Sequence, residues 1–171
     1  MRGVRWRLVG AAVIAGLALA VGIAYFQPQK LFINQRVNEA IPAATTARQA
    51  PQASTAAPPE TVLSSSSLRS LEHQSSGTVL LIQLAGGGRI LRLENLATSN
   101  GPDLRVYLST TPASADWHGY DRDYVDLGAL KGNLGNQNYA LPDSVDITRY
   151  RSAVIWCRQF KVGFAVASLS G

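Results

Sequence analysis

Ala153-Val154-Ile155-Trp156-Cys157-Arg158-Gln159-Phe160-Lys161-Val162-Gly163-Phe164-Ala165-Val166 decides the fold class. Residues 153–157 are a continuous apolar run, and Phe160, Val162, Phe164 and Val166 then alternate with their neighbours. Alternation of period two, interrupted by a polar break at Arg158-Gln159, reads as strand, turn and strand. The same period recurs upstream. Leu104, Val106 and Leu108 alternate with Arg105, Tyr107 and Ser109. In residues 89–96, Leu91 and Leu93 oppose Arg92 and Glu94, and residues 78–84 form another run, broken by Gly86-Gly87-Gly88. Residues 124–127 and 139–141 are shorter candidates. Asn100-Gly101-Pro102-Asp103 is a turn, because glycine tolerates positive φ and proline fixes its own. At least six short strands without a helical stripe predict an all-β fold, an antiparallel sandwich or barrel over residues 61–171.

Outward from this domain the composition changes. Residues 42–60 (PAATTARQAPQASTAAPPE) hold almost nothing to bury and predict a disordered Pro/Ala-rich linker. Ile33, Val37 and Ile41 stand four apart, which suits a short helix or turn in the juxtamembrane part of the 31–60 segment. Residues 8–29 carry no charge. A transmembrane helix needs roughly 20 apolar residues, and Tyr25 and Phe26 suit its interface. Arg2, Arg5 and Arg7 precede the segment, so the positive-inside rule holds the N-terminus in the cytoplasm. The chain is therefore expected to divide into a cytoplasmic tip with its anchor (1–30), a linker (31–60) and an extracytoplasmic domain (61–171). The expected location is the plasma membrane, crossed once. A signal peptide cut after Ala18-Leu19-Ala20 is the competing reading, and it also exports the domain.

The formal charge of +5 does not point to nucleic acid. Residues 61–171 carry ten basic and nine acidic side chains, and no basic stripe interleaves with aromatics. Signatures of hydrolases, P-loop nucleotide binding, zinc proteases and covalent haem attachment are absent. The single cysteine, Cys157, excludes an intrachain disulfide. A leftover cysteine in an exported protein marks a reactive or intermolecularly paired thiol, and nearby Arg158 or Lys161 would favour its thiolate. A buried cysteine packing as a small hydrophobe is the alternative.

Three regions are unusual: Leu71-Glu72-His73-Gln74-Ser75-Ser76-Gly77-Thr78, the glycine- and asparagine-dense loop expected over residues 127–139, and Val154-Ile155-Trp156-Cys157-Arg158-Gln159-Phe160. Together with Asn100-Gly101-Pro102-Asp103-Leu104 and Leu141-Pro142, these motifs resemble the DM-thirteen domain, a small module found beside DOMON domains and, in bacteria, behind a membrane anchor. The resemblance covers roughly residues 64–170. Ser67-Leu68 departs from the small-aromatic pair expected before Glu72-His73. The resemblance implies an all-β fold and a role in electron transfer, with Cys157 as a redox thiol or cofactor ligand.

Cofactor readings follow from this. A haem held by Cys157 and His73 rests on the family resemblance alone. His73, His118 and Cys157 supply the two imidazoles and thiolate of a blue-copper site, but Met1 is the only methionine and no histidine closely follows Cys157, so no metal is assigned. Asp116, Asp121, Asp123 and Asp126 lack the spacing of a calcium loop. Two functions remain: an envelope redox module acting through Cys157, or a non-catalytic binding or structural module that engages an envelope polymer or protein.

Overall fold

The alternating runs become strands of two sheets that face each other across one apolar layer. The computed structural model describes residues 10, 12–22, 33–42, 60–85, 87–116 and 118–169. Its strands are β1 (Arg36–Asn38), β2 (Thr61–Ser67), β3 (Arg69–Ser70), β4 (Ser76–Gln83), β5 (Arg89–Ala97), β6 (Leu104–Ser109), β7 (Tyr124–Ala129), β8 (Leu134–Leu141), β9 (Ser152–Cys157) and β10 (Val162–Ser168). The first sheet runs β1-β8-β5-β4-β2 and the second β3-β10-β9-β6-β7. The domain is a β-sandwich, and its strand pairs are antiparallel except β1 with β8, which run parallel.

Period-two alternation divides each central strand between two environments. Val79, Leu81, Leu91 and Leu93 of the first sheet meet Val106, Leu108, Ala153, Ile155 and Cys157 of the second in the main core. Each large aliphatic side chain buried there contributes about 1.5–3 kcal/mol. The other face of β9 is also covered. Val154 and Trp156 join Tyr107, Tyr120 and Val166 in a second cluster, with Ala113 and Ala115 of the loop after β6 packed against it. Tyr120 fixes that loop through its hydroxyl, 3.1 Å from the Ala115 carbonyl. The residues of β9 are therefore buried on both faces, which explains why residues 153–157 read as a continuous apolar run.

Two expectations change. Residues 36–38 are a strand, not a helix or turn. β8 would otherwise present an unpaired edge, and its asparagines bind the incoming segment. Asn136 donates to Asn38, Asn138 to the Ala40 carbonyl, and Asn133 to Asn34. Backbone pairing along a ready edge outweighs the weak periodicity of three apolar residues. Likewise, most of residues 127–139 is strand rather than loop, belonging to β7 and β8. Gly135 has φ +99, and a Cβ there would lie 2.0 Å from the Val37 carbonyl oxygen. The glycine lets β1 approach, and the asparagines face it.

Residues 12–22 are helical and largely exposed. No helix among the described residues is long and apolar enough to cross a membrane. The rest of the expected anchor, 8–29, lies outside the described residues, as do residues 43–59 of the expected linker.

Candidate functional site

Cys157 ends β9, a central strand, with Leu104 of β6 and Val162 of β10 directly opposite. Its side chain shares the core-facing alternation of Ile155 and is 0 % exposed. Arg158, the next residue, turns outward. Its Nε lies 2.7 Å from Asp103 Oδ2, its amide donates to the Asp103 carbonyl, and the carboxylate raises the guanidinium pKa. Lys161 is exposed on the same hairpin. The basic side chains expected to tune the thiol thus point to solvent or to Asp103, while the thiol is sealed in the core.

His73 sits in the bend between β3 and β4 and stacks on Phe164, with ring centroids 3.7 Å apart and planes at 23°. Phe164 is buried in the same core as Cys157. The histidine therefore packs on a ring that belongs to the cysteine's core. His118 lies on the loop after β6, its Nδ1 3.5 Å from Asp116. Two further carboxylates of that region are engaged by arginines: Asp126 by Arg105 at 2.8 Å and Asp123 by Arg149 at 3.3 Å. Among the described residues, no three His, Cys, Asp or Glu side chains gather as a metal site.

A cleft of about 370 Å³ lies beside this region, walled by Ile33, Asn100, Gly101, Asp103, Leu104 and Asn133 among others. Leu104, which lines it, is the strand neighbour of Cys157, but the cysteine itself does not line the cleft. A second cleft lies near Gln74 and Thr98. Neither is lined by Cys157 or His73. Haem ligation would require an open coordination face at the sulfur; a sulfur packed among Leu104, Val162 and the main core does not offer one. The residues present do not fit a haem held by Cys157 and His73.

Aromatic rings gather instead on the other face of β9. Trp156, the chain neighbour of Cys157, has its ring centroid 6.4 Å from that of Tyr107. Tyr107 stacks on Tyr124 at 4.2 Å, and Tyr124 is 40 % exposed. The file runs lengthwise along the outer face of the second sheet, because Trp156 lies opposite Arg105 and Tyr124 opposite Ser109. Burial, with the Tyr124 and Asp126 side chains nearby, raises the pKa of Tyr107, so its phenol stays protonated. Sequence reasoning singled out Trp156 but not Tyr107. The alternation of residues 104–109 assigns Tyr107 to the polar face, and the loop that buries that face is distant in sequence. The aromatic content of that face was the available signal.

The described fold is a small β-sandwich with its one cysteine in the core, beside the Asn100-Gly101-Pro102-Asp103 turn. Residues 67–169 match the family model described as Electron transfer DM13, and the chain belongs to that family. No curated protein and no solved structure matches it.

Proposed function

We infer that this protein is an electron-transfer module anchored in the plasma membrane by residues 8–29, with its β-sandwich outside the cytoplasm and Cys157 as the redox group. The observation that carries this reading is the burial of Cys157 on the core face of β9, next in the chain to Trp156, which begins the Trp156–Tyr107–Tyr124 file on the other face. A thiol without solvent contact is poorly placed for thiol–disulfide exchange, which needs attack at an accessible sulfur. One-electron exchange through intervening rings does not need that access. Oxidation removes one electron and the Sγ proton from Cys157; a one-electron acceptor docked at the exposed Tyr124 end takes the electron, and the proton reaches solvent through a local opening of the sandwich. Reduction reverses both transfers.

The test is the rate at which Cys157 reacts with a thiol reagent, native against unfolded. Labelling only after unfolding, together with redox activity, supports transfer through the protein. Fast native labelling means that the thiol is reached by contact, and the file is then unnecessary.

The burial of Cys157 also favours a second reading, a non-catalytic binding or structural module in which the cysteine only packs. Cys157→Ala separates the two: it abolishes redox activity under the first reading and leaves partner binding intact under the second.

A further inference from the structure

Ile33 is 62 % exposed and Phe160 is 65 % exposed, whereas most other large apolar side chains of the domain are buried. Both lie at the same end of the sandwich. The Asn100 side chain donates to the Ile33 carbonyl, and Asp103, three residues further on, holds Arg158 at the root of the hairpin that carries Phe160. Cys157, Leu104 and the bend of His73 belong to this end as well. Val62 and Leu63 are exposed too, but at the opposite end of the sheet, where β2 begins beside Gln83.

Chain connectivity selects between the two ends. The uncharged segment ends at Gln29, four residues before Ile33. Four residues span at most roughly 14 Å when fully extended. Because β1 is docked on β8 from Arg36 onward, the domain does not hang on the full 31–60 linker; it is held by this short lead. The headgroup layer adds several ångströms on each side of the hydrocarbon, so Ile33 falls within its reach.

We propose that this end of the sandwich rests on the bilayer that anchors the chain, with Phe160 and Ile33 in the headgroup–acyl boundary and Arg36, Arg158 and Lys161 at phosphate level. Aromatic and long basic side chains favour that boundary, where an apolar body and a polar tip are both accommodated. The acidic groups near this end are Glu72, Asp103 and Asp126, of which Asp103 is already paired with Arg158 and Asp126 with Arg105. The proposal rests on the membrane anchoring inferred above. Its consequence is an orientation: the cysteine end faces the lipid, and the Tyr124 end faces away.

The test places a nitroxide label at F160C, at I33C and, as a distal control, at D143C on the full chain. The buried Cys157 stays unlabelled under native conditions. The chain is reconstituted in vesicles of phosphatidylcholine and phosphatidylglycerol. Labels at 160 and 33 are expected to collide severalfold less with a water-soluble nickel chelate than the label at 143, and more with oxygen. Equal chelate access at 160 and 143, in a chain that floats with the vesicles, overturns the proposal and leaves the anchor standing. A chain that does not float with the vesicles overturns both. Dipolar broadening between labels at 160 means that a second copy covers this end, and also overturns it.

Discussion

Lys131 Nζ lies 2.7 Å from Glu39 Oε1, across 92 positions of sequence. This contact fastens β1 to the sandwich. Glu39 also accepts from the Asn138 amide, and its backbone carbonyl accepts from Arg92. Burial pushes the Glu39 carboxyl up, but the hydrogen bonds from Lys131 and Asn138 and the charges of Lys131 and Arg92 outweigh it, so its pKa is lowered. A lowered carboxylate pKa stabilises the docked strand above the unfolded value and loses that contribution as pH falls through the folded one. Docking of β1 should therefore weaken as pH drops below about 4.5. Glu39→Gln should cost about 1 kcal/mol of docking at neutral pH. Hydrogen exchange at Val37 and Glu39, corrected for intrinsic rates, measures both.

Gly135→Ala should release β1 outright. The new Cβ would overlap the Val37 carbonyl, and the φ of +99 is itself strained for alanine by about 1–3 kcal/mol. Exchange protection should be lost in residues 36–38, while the β4–β5 hairpin keeps its protection.

His73→Ala removes a stacked ring from Phe164 and should cost about 0.5–1.5 kcal/mol in denaturant unfolding. Because the histidine packs on the wall of the core and ligates nothing in the proposed mechanism, the redox midpoint should not move. A midpoint shift would reinstate it as a ligand.

Trp156→Phe tests the aromatic file. Trp156→Ala would cost about 3–5 kcal/mol and blur the result, whereas phenylalanine retains much of the packing in the second cluster. Scan-rate-dependent voltammetry should show slower electron exchange with an unchanged midpoint. Unchanged kinetics would remove the file from the mechanism.

Oxidation of the Cys157 thiol to a neutral sulfur radical releases one proton per electron. Its midpoint potential should then fall by about 59 mV for each unit rise in pH. A pH-independent midpoint would mean that the group losing the electron is not a protonated thiol.

Much of the sandwich was legible in the sequence. Residues 104–109 and 89–96 alternate because each strand has one core face, and residues 153–157 are continuously apolar because β9 is covered twice. The same alternation placed Cys157 with Ile155 and apart from Trp156, as the structure has it. Pairing between distant segments was not legible. Nothing local in Arg36-Val37-Asn38 announces a strand that forms only on the β8 edge, and the asparagines facing it read as loop residues. The second cluster was hidden for the same reason: Tyr107 belongs to the solvent side of its strand until the loop carrying Tyr120 folds over it. The local motifs marked Cys157 and His73; that one is sealed in the core while the other stacks on Phe164 depends on tertiary packing.

Protein-film voltammetry of the full chain, wild type against Cys157→Ala, tests the central claim most directly. Electron transfer through Cys157 predicts a one-electron wave in the wild type that is missing from a Cys157→Ala variant that still unfolds cooperatively. The same wave in both proteins, or none in the wild type, would contradict it.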